Sequence, residues 1–311
     1  MSTELFASIA DRLAAMGLLE IRLYNWGEPF LHPRLSEIVA TCNATGLRYS
    51  FSTNASTVPE IDASFVHNLE AVTFSMPGFS QPSYDRIHRL NFHTVTNNIQ
   101  RFTRRCRDFG FRGSFHLAYH VYRFNKAEVP VARDFASRNG IRFVPSYAFL
   151  NDLQLWLDWF GDRLNDEYLA AIDQDICLDV LRQQGLAAPK KYRCPLPDDI
   201  VLNHQGDLLI GCCAPYGDPT FVCGRFPDQD LEELLLLRRS KAICQQCVKL
   251  GVAYCVNHSV LLEDGPELWQ PSIQKPLLAA ARRALPRQVK RVLRSLLTDH
   301  CPRFAAWLKK P

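Results

Sequence analysis

From residue 2 to residue 145 the chain alternates short apolar runs with longer segments whose apolar residues recur at helical spacing, and this rhythm restricts the fold more than any other feature. Ser2 or Thr3 can cap a first helix striped by Leu5, Phe6, Ile9, Leu13 and Met16 and stopped by Gly17. Leu18 to Tyr24 is the first expected strand, a helix striped by Leu35, Ile38, Val39 and Cys42 ends at Gly46, and Leu47 to Thr53 is the second strand. A short helix with Phe65, Val66 and Leu69 precedes the strand Ala71 to Met76. A longer one, with Val95, Ile99, Phe102, Cys106 and Phe109, precedes the strand Ser114 to Tyr122. Ala127 to Asn139 is again helical, and Ile141 to Pro145 is the fifth strand. Strands separated by helices are expected to lie parallel, joined by helical crossovers. The class is therefore α/β, with a leading helix and five strands that look like a sheet lacking its first strand.

Within this frame the loop Leu23 to Pro33 stands out, because Gly27 lets a bound group approach the backbone and Pro29 pushes Glu28 into an extended conformation. Carbonyls and the Glu28 carboxylate facing outward there would suit a cationic ammonium group at the carboxyl end of a strand. Residues 150 to 188 keep a helical pattern, with Trp156 and Trp159 expected as packing residues. From about 189 to 258 the composition shifts to Cys, Pro and Gly, marking a smaller domain. Here Cys194 precedes a hairpin, Ile200 to Asn203 and Asp207 to Gly211, which delivers Cys212-Cys213, and a later helix supplies Cys244-x2-Cys247. Two-residue spacing lets both thiolates reach one centre, and a domain this short needs a metal to supplement its core. Cys194, Cys212 or Cys213, Cys244 and Cys247 would complete either a zinc site or an iron–sulfur cluster. Cys223 and Cys255 are further candidates that no spacing calls for, whereas Cys42, Cys106 and Cys177 fall on apolar helical faces and belong to the core.

The composition, 47% hydrophobic and 22% charged over 311 residues, is that of a globular protein of about two domains. No apolar run of membrane-spanning length and no secretory leader pattern is present, so a cytoplasmic location is expected, where eleven cysteines point to metal rather than disulfides. Charge is unevenly spread. Residues 274 to 311 carry ten Lys/Arg against Asp299, while the rest is net acidic and offers no nucleic-acid surface. The tail, within residues 259 to 311, is expected as a basic amphipathic helix that either docks on an anionic partner or peripheral membrane surface or stays solvated.

Taken together, residues 1 to 258 resemble the radical S-adenosylmethionine superfamily, in its branch with a C-terminal SPASM-like auxiliary-cluster domain. Asn25-Trp26-Gly27-Glu28-Pro29 matches that family's Gly-Gly-Glu-Pro loop, Ser52-Thr53-Asn54-Ala55 is similar to its Thr-Asn-Gly element, and Ser75-Met76-Pro77-Gly78 to its Ser-Leu-Asp-Gly element. Tyr84-Asp85-Arg86-Ile87-His88 looks like the helix that follows, and Asn125 falls where the family often places an asparagine. The resemblance implies a partial TIM-like (β/α) barrel over residues 1–149, a helical linker over 150–188 and an auxiliary domain over 189–258. It also implies that Asn25, Gly27, Glu28, Asn54, Ser75 and Asn125 line the S-adenosylmethionine site and that Cys194, Cys212, Cys244 and Cys247 hold one auxiliary [4Fe-4S] cluster.

The departures are equally specific. No Cys-x3-Cys-x2-Cys triplet occurs in residues 1 to 193, Pro77 replaces the family's Asp, and Gly206 lies one residue further from Cys212 than usual. S-adenosylmethionine and a second [4Fe-4S] cluster are expected only if that cysteine loop is encoded upstream of Met1, after an apolar β segment; this chain as given is expected not to cleave S-adenosylmethionine. The implied function is radical modification of a peptide or small-molecule substrate, with flavodoxin or ferredoxin as electron donor. His116, Tyr119, His120, Tyr122 and Tyr147 near strand ends are candidate pocket residues. The alternative is a non-catalytic relative, a binding scaffold with one structural iron–sulfur or zinc site.

Overall fold

The computed structural model describes residues 1–195, 199–211 and 217–258, all within one compact unit; Cys212, Cys213 and the basic tail lie outside the described residues. Helix α1 (Thr3–Ala15) starts where expected, its Ser2 Oγ accepting from the Leu5 amide at 3.2 Å. Gly17, at φ +83°, closes it. Strand β1 (Glu20–Arg22) is shorter than the expected Leu18 to Tyr24. The Leu18 amide is taken by the Leu13 carbonyl in the closing turn of α1, and beyond the Leu23 amide, which bonds to Ser50, the chain leaves the sheet.

There follow α2 (Leu35–Thr45), β2 (Arg48–Thr53), α3 (Ala63–His67), β3 (Leu69–Met76), α4 (Gln81–Ile87), α5 (Phe92–Asp108), β4 (Ser114–Val121), α6 (Val129–Arg138) and β5 (Arg142–Tyr147). All neighbouring strands are parallel and run in the order β1-β2-β3-β4-β5. Strictly sequential order is that of a barrel wall, whereas doubly wound sheets reverse direction at a switch point. The expected α/β alternation is present, and the five-stranded parallel sheet is consistent with a partial TIM-like fold.

The two faces of this sheet differ in chemistry. Tyr49, Phe51, Val72, Phe74, Met76 and Leu117 are at most 1% exposed and pack with α2, α5 and α6 into the main core. On the other face Ser52, Thr73, Ser75, His116, Ala118 and His120 are half-buried. Parallel sheets are ordinarily covered by apolar layers on both faces. Here one face is lined with hydroxyls and imidazoles.

Beyond β5, α7 (Leu153–Phe160), α8 (Asp166–Asp173) and α9 (Leu178–Leu186) build a second apolar cluster around Trp156 and Trp159, 0% and 3% exposed, which are packing residues as expected. The indole of Trp156 donates to the Leu150 carbonyl at 2.6 Å. A two-stranded ribbon of β6 (Asp207–Leu209) and β7 (Val222–Arg225) and the helices α10 (Leu231–Ser240), α11 (Ala242–Lys249) and α12 (Val252–Asn257) complete the described chain. The expected 200–211 hairpin is present as a narrow ladder, with Leu202 bridging Leu208 and the Asn203 and Leu209 amides donating to the Asp207 and Val201 carbonyls at 3.0 and 2.9 Å, while the other edge of β6 pairs with β7. Trp26, after β1, and Tyr147, at the end of β5, both pack on the second cluster. The module after β5 thus touches the carboxyl side of the first and last strands.

Candidate cofactor and substrate site at the strand ends

Parallel strands bring all their carboxyl ends to one edge, where the loops after β1 to β4 are tied to one another. Pro29 opens a single 3-10 turn, and Glu28 caps it by accepting from the Phe30 amide at 3.1 Å. The same carboxylate accepts from the Thr53 hydroxyl at 2.6 Å and the Asn54 amide at 2.7 Å. It therefore clamps the loop after β1 to the end of β2 instead of facing outward, which corrects the expectation for this side chain. Asn25 and Gly27 are exposed, and a Cβ built at Gly27 would meet nothing within 4 Å.

Asn54 turns the next loop by accepting from the Ser56 amide at 2.9 Å, and Ala55 holds φ +54°, the left-handed region that glycine occupies more easily. The Asn98 amide, from α5, pins the Ala55 carbonyl at 2.9 Å. Asn125 is wholly buried. Its Nδ2 donates to Pro77 and His120 carbonyls at 2.7 and 2.8 Å, and its Oδ1 accepts from the Tyr122 amide at 2.8 Å. Each polar atom of that side chain is thus engaged, and Asn125 braces the loops after β3 and β4.

On the polar face the Ser75 hydroxyl lies 3.2 Å from His120 Nε2. Burial, with the nearby His88, pushes His120 down to about 4, and burial with the Arg142 charge lowers His116. Both imidazoles are therefore neutral near pH 7 and act as hydrogen-bonding groups. Of the other expected pocket residues, Tyr119 faces the helices with its hydroxyl on the Asn125 carbonyl at 3.0 Å, and Tyr122 stacks on Phe124 with ring centroids 5.1 Å apart. Tyr147 packs partly buried between the two clusters.

Cys194 and Cys244, half-buried, and Cys247, buried, join one apolar cluster with Trp26. Their donor chemistry suits an iron–sulfur or zinc centre, although among the described residues no three His, Cys, Asp or Glu side chains are gathered as a metal group. Cys42 and Cys106 are fully buried, their thiols pushed up to about 12 by burial, and Cys177 is buried as well; these three are core residues and do not fit a cluster with an open iron. Cys255 donates to the Leu181 carbonyl at 3.1 Å and is likewise a core thiol.

Structures of SuiB from Streptococcus suis superpose on this arrangement. The one bound to S-adenosylmethionine gives a TM-score of 0.52 at 12% identity, covering 82% of this chain and 64% of SuiB. Another gives 0.51 at 12% identity over 78% and 60%. The chain shares its fold with SuiB. At this identity the likeness concerns the fold alone, and the chain spans less than two thirds of SuiB's length. Neither a family model nor a curated protein matches the chain.

Two rim residues, Glu128 and Ser80, lie outside the motifs read from the sequence. Glu128 accepts from the Phe79 amide at 2.6 Å and the Ser83 and Tyr119 hydroxyls at 2.7 and 3.3 Å, and from the Ser80 hydroxyl. Gly78 sits so close to this hub that a Cβ there would lie 2.2 Å from Ser83 Oγ. Ser80, capping α4 with Pro82 in its first turn, carried a local signal for the hub. Glu128 carried none, because its partners lie up to 49 residues away.

Proposed function

We propose that this chain is part of a radical S-adenosylmethionine protein with a SPASM-like auxiliary module, which in its full-length form acts by radical chemistry on a peptide or small-molecule substrate. The observation that carries this reading is the half-buried polar face of an otherwise ordinary parallel sheet, bordered by interlocked loops at the strand ends. Such a surface gains nothing from an apolar cover and suits a polar ligand. On this reading Asn25, Gly27, Asn54 and Ser75 lie along the cofactor, while Glu28, Asn98, Asn125 and Glu128 hold the loops that present them. Gly27 is exposed with open space where a Cβ would lie, which gives a ligand room to approach the backbone closely.

Cys194, Cys244 and Cys247, with Cys212 or Cys213, would hold the auxiliary cluster within residues 189–258. When bound, it would supply one-electron chemistry and a compact charge near the rim. The cysteine triplet that would hold a cleaving cluster is not in this sequence, so no step of S-adenosylmethionine cleavage is assigned to these residues.

The test is ligand-observed NMR with S-adenosylmethionine at millimolar concentration, on the wild type and on Gly27→Val. Saturable binding that weakens at least tenfold in Gly27→Val, with the melting temperature unchanged, is expected. No binding to the wild type, or equal binding by both proteins, overturns the reading.

A further inference from the structure

We propose that the polar face of the sheet carries an anion subsite, built on Arg142 and His116 with the Thr73 and Ser52 hydroxyls, that anchors a carboxylate or phosphate group of the substrate. The proposal rests on reading this face as the substrate surface. Its basis is a single row across four strands. Ser52 lies opposite Thr73, Thr73 opposite His116, and His116 opposite Arg142. Successive side chains on a strand point to opposite faces, so these four share the face from which Phe51, Phe74, Leu117 and Phe143 are turned away into the helix-side core.

Arg142 is exposed and makes no ion pair among the described residues, unlike Arg48, which meets Glu70 at 2.7 Å, or Arg138, which meets Asp134 at 2.6 Å. Its charge is felt at His116. Being exposed, the Arg142 guanidinium is open to a ligand from solvent, and its planar fork pairs with carboxylate or phosphate through two hydrogen bonds. His116 supplies a ring N–H, and the two hydroxyls supply donors at fixed cross-strand spacing.

The position also sets a dimension. Ser75 lies two residues beyond Thr73 on the same strand face, about 7 Å along the strand. A substrate anchored at Arg142, two strands across from Thr73, would therefore reach Ser75 with a part about 12 Å from its anionic group.

The probes are glutarate and, separately, inorganic phosphate, titrated into the whole chain while the ring signals of selectively labelled histidines are followed by NMR and His116 is assigned with His116→Gln. A saturable shift of the His116 signal is expected with at least one of them; the stronger identifies the anion class. Arg142→Gln should weaken that response at least tenfold, while Arg138→Gln leaves it unchanged. No saturable shift with either anion, or equal affinity in Arg142→Gln, overturns the proposal. S-adenosylmethionine titrated into the same samples separates the two claims. Anion binding without S-adenosylmethionine binding leaves the subsite standing and removes the cofactor reading, and the reverse result removes the subsite alone.

Discussion

Glu28 joins two loops through one carboxylate, and the energetic weight of that arrangement can be measured. Hydrogen bonds to a charged acceptor contribute about 1.5–3 kcal/mol each, so Glu28→Gln, which keeps the shape but loses the charge and one acceptor, should cost about 2 kcal/mol. Chemical denaturation of Glu28→Gln, Thr53→Val and the double variant should show coupling of at least about 0.5 kcal/mol; strictly additive losses would mean the 2.6 Å contact between them contributes nothing. His120 gives a second handle at this scale. Its folded pKa, about 4, lies below the unfolded value of about 6.5, so the unfolded chain takes up the proton first. Stability is then full above about pH 6.5 and falls as the pH drops toward 4. His88 and His116 shift in the same direction by burial, whereas Glu4, held down to about 2 by Arg34, acts only in more acid solution. Melting temperature against pH should therefore decline between 6.5 and 4, and His120→Gln should flatten part of the decline. An unchanged slope would remove His120 from the account.

The loop–helix junctions at the strand ends show which features of an element its own sequence displays. Gly78 is needed because the α4 cap closes on it, and Gly78→Ala should destabilise by about 2 kcal/mol or more through overpacking. Gly27→Ala, with open space around its Cβ, should change stability by under about 1 kcal/mol. Ala55 presents the opposite case. A left-handed conformation costs an L-residue about 1–2 kcal/mol, and glycine returns up to about 1 kcal/mol of that through the unfolded chain. Ala55→Gly should therefore raise stability slightly in thermal denaturation; a loss would show that the left-handed turn is not strained. From the sequence, Ser2, Gly17, Gly46 and the stripes of α2 and α5 were legible because caps and periodicity are local. The shortening of β1 was not, since it depends on a hydrogen bond from Leu18 back to Leu13 and on where Leu23 parts from Ser50.

Over the whole molecule, the cysteines divide by environment. Cys42 and Cys106 to Ser should lower the melting temperature and leave bound iron unchanged, while Cys244→Ser and Cys247→Ser should lower the iron held after anaerobic reconstitution from about four per chain, the content of one cubane. Zinc retained with no iron would favour a structural metal site instead. The α/β rhythm and the rim elements near Gly27, Asn54 and Ser75 could be found in the sequence because each sits where a strand ends. The roles of Glu28, Asn125 and Glu128 could not, because a side chain's choice between a ligand and a neighbouring loop is settled by chain segments 25 to 49 residues away. The sequential strand order has a further consequence, for the making of the protein. Each strand pairs with the strand before it, at separations from 20 residues (Tyr49 to Leu69) to 43 (Ala71 to Ser114), so no strand pairing within residues 20–147 spans more than one crossover. The wall can grow one β-α unit at a time as the chain leaves the ribosome. Packing of Trp26 against the cluster built after residue 150 is the long-range step that must wait. Until synthesis passes residue 150, Trp26 and Tyr147 at the sheet's two edges lack the cluster on which they pack.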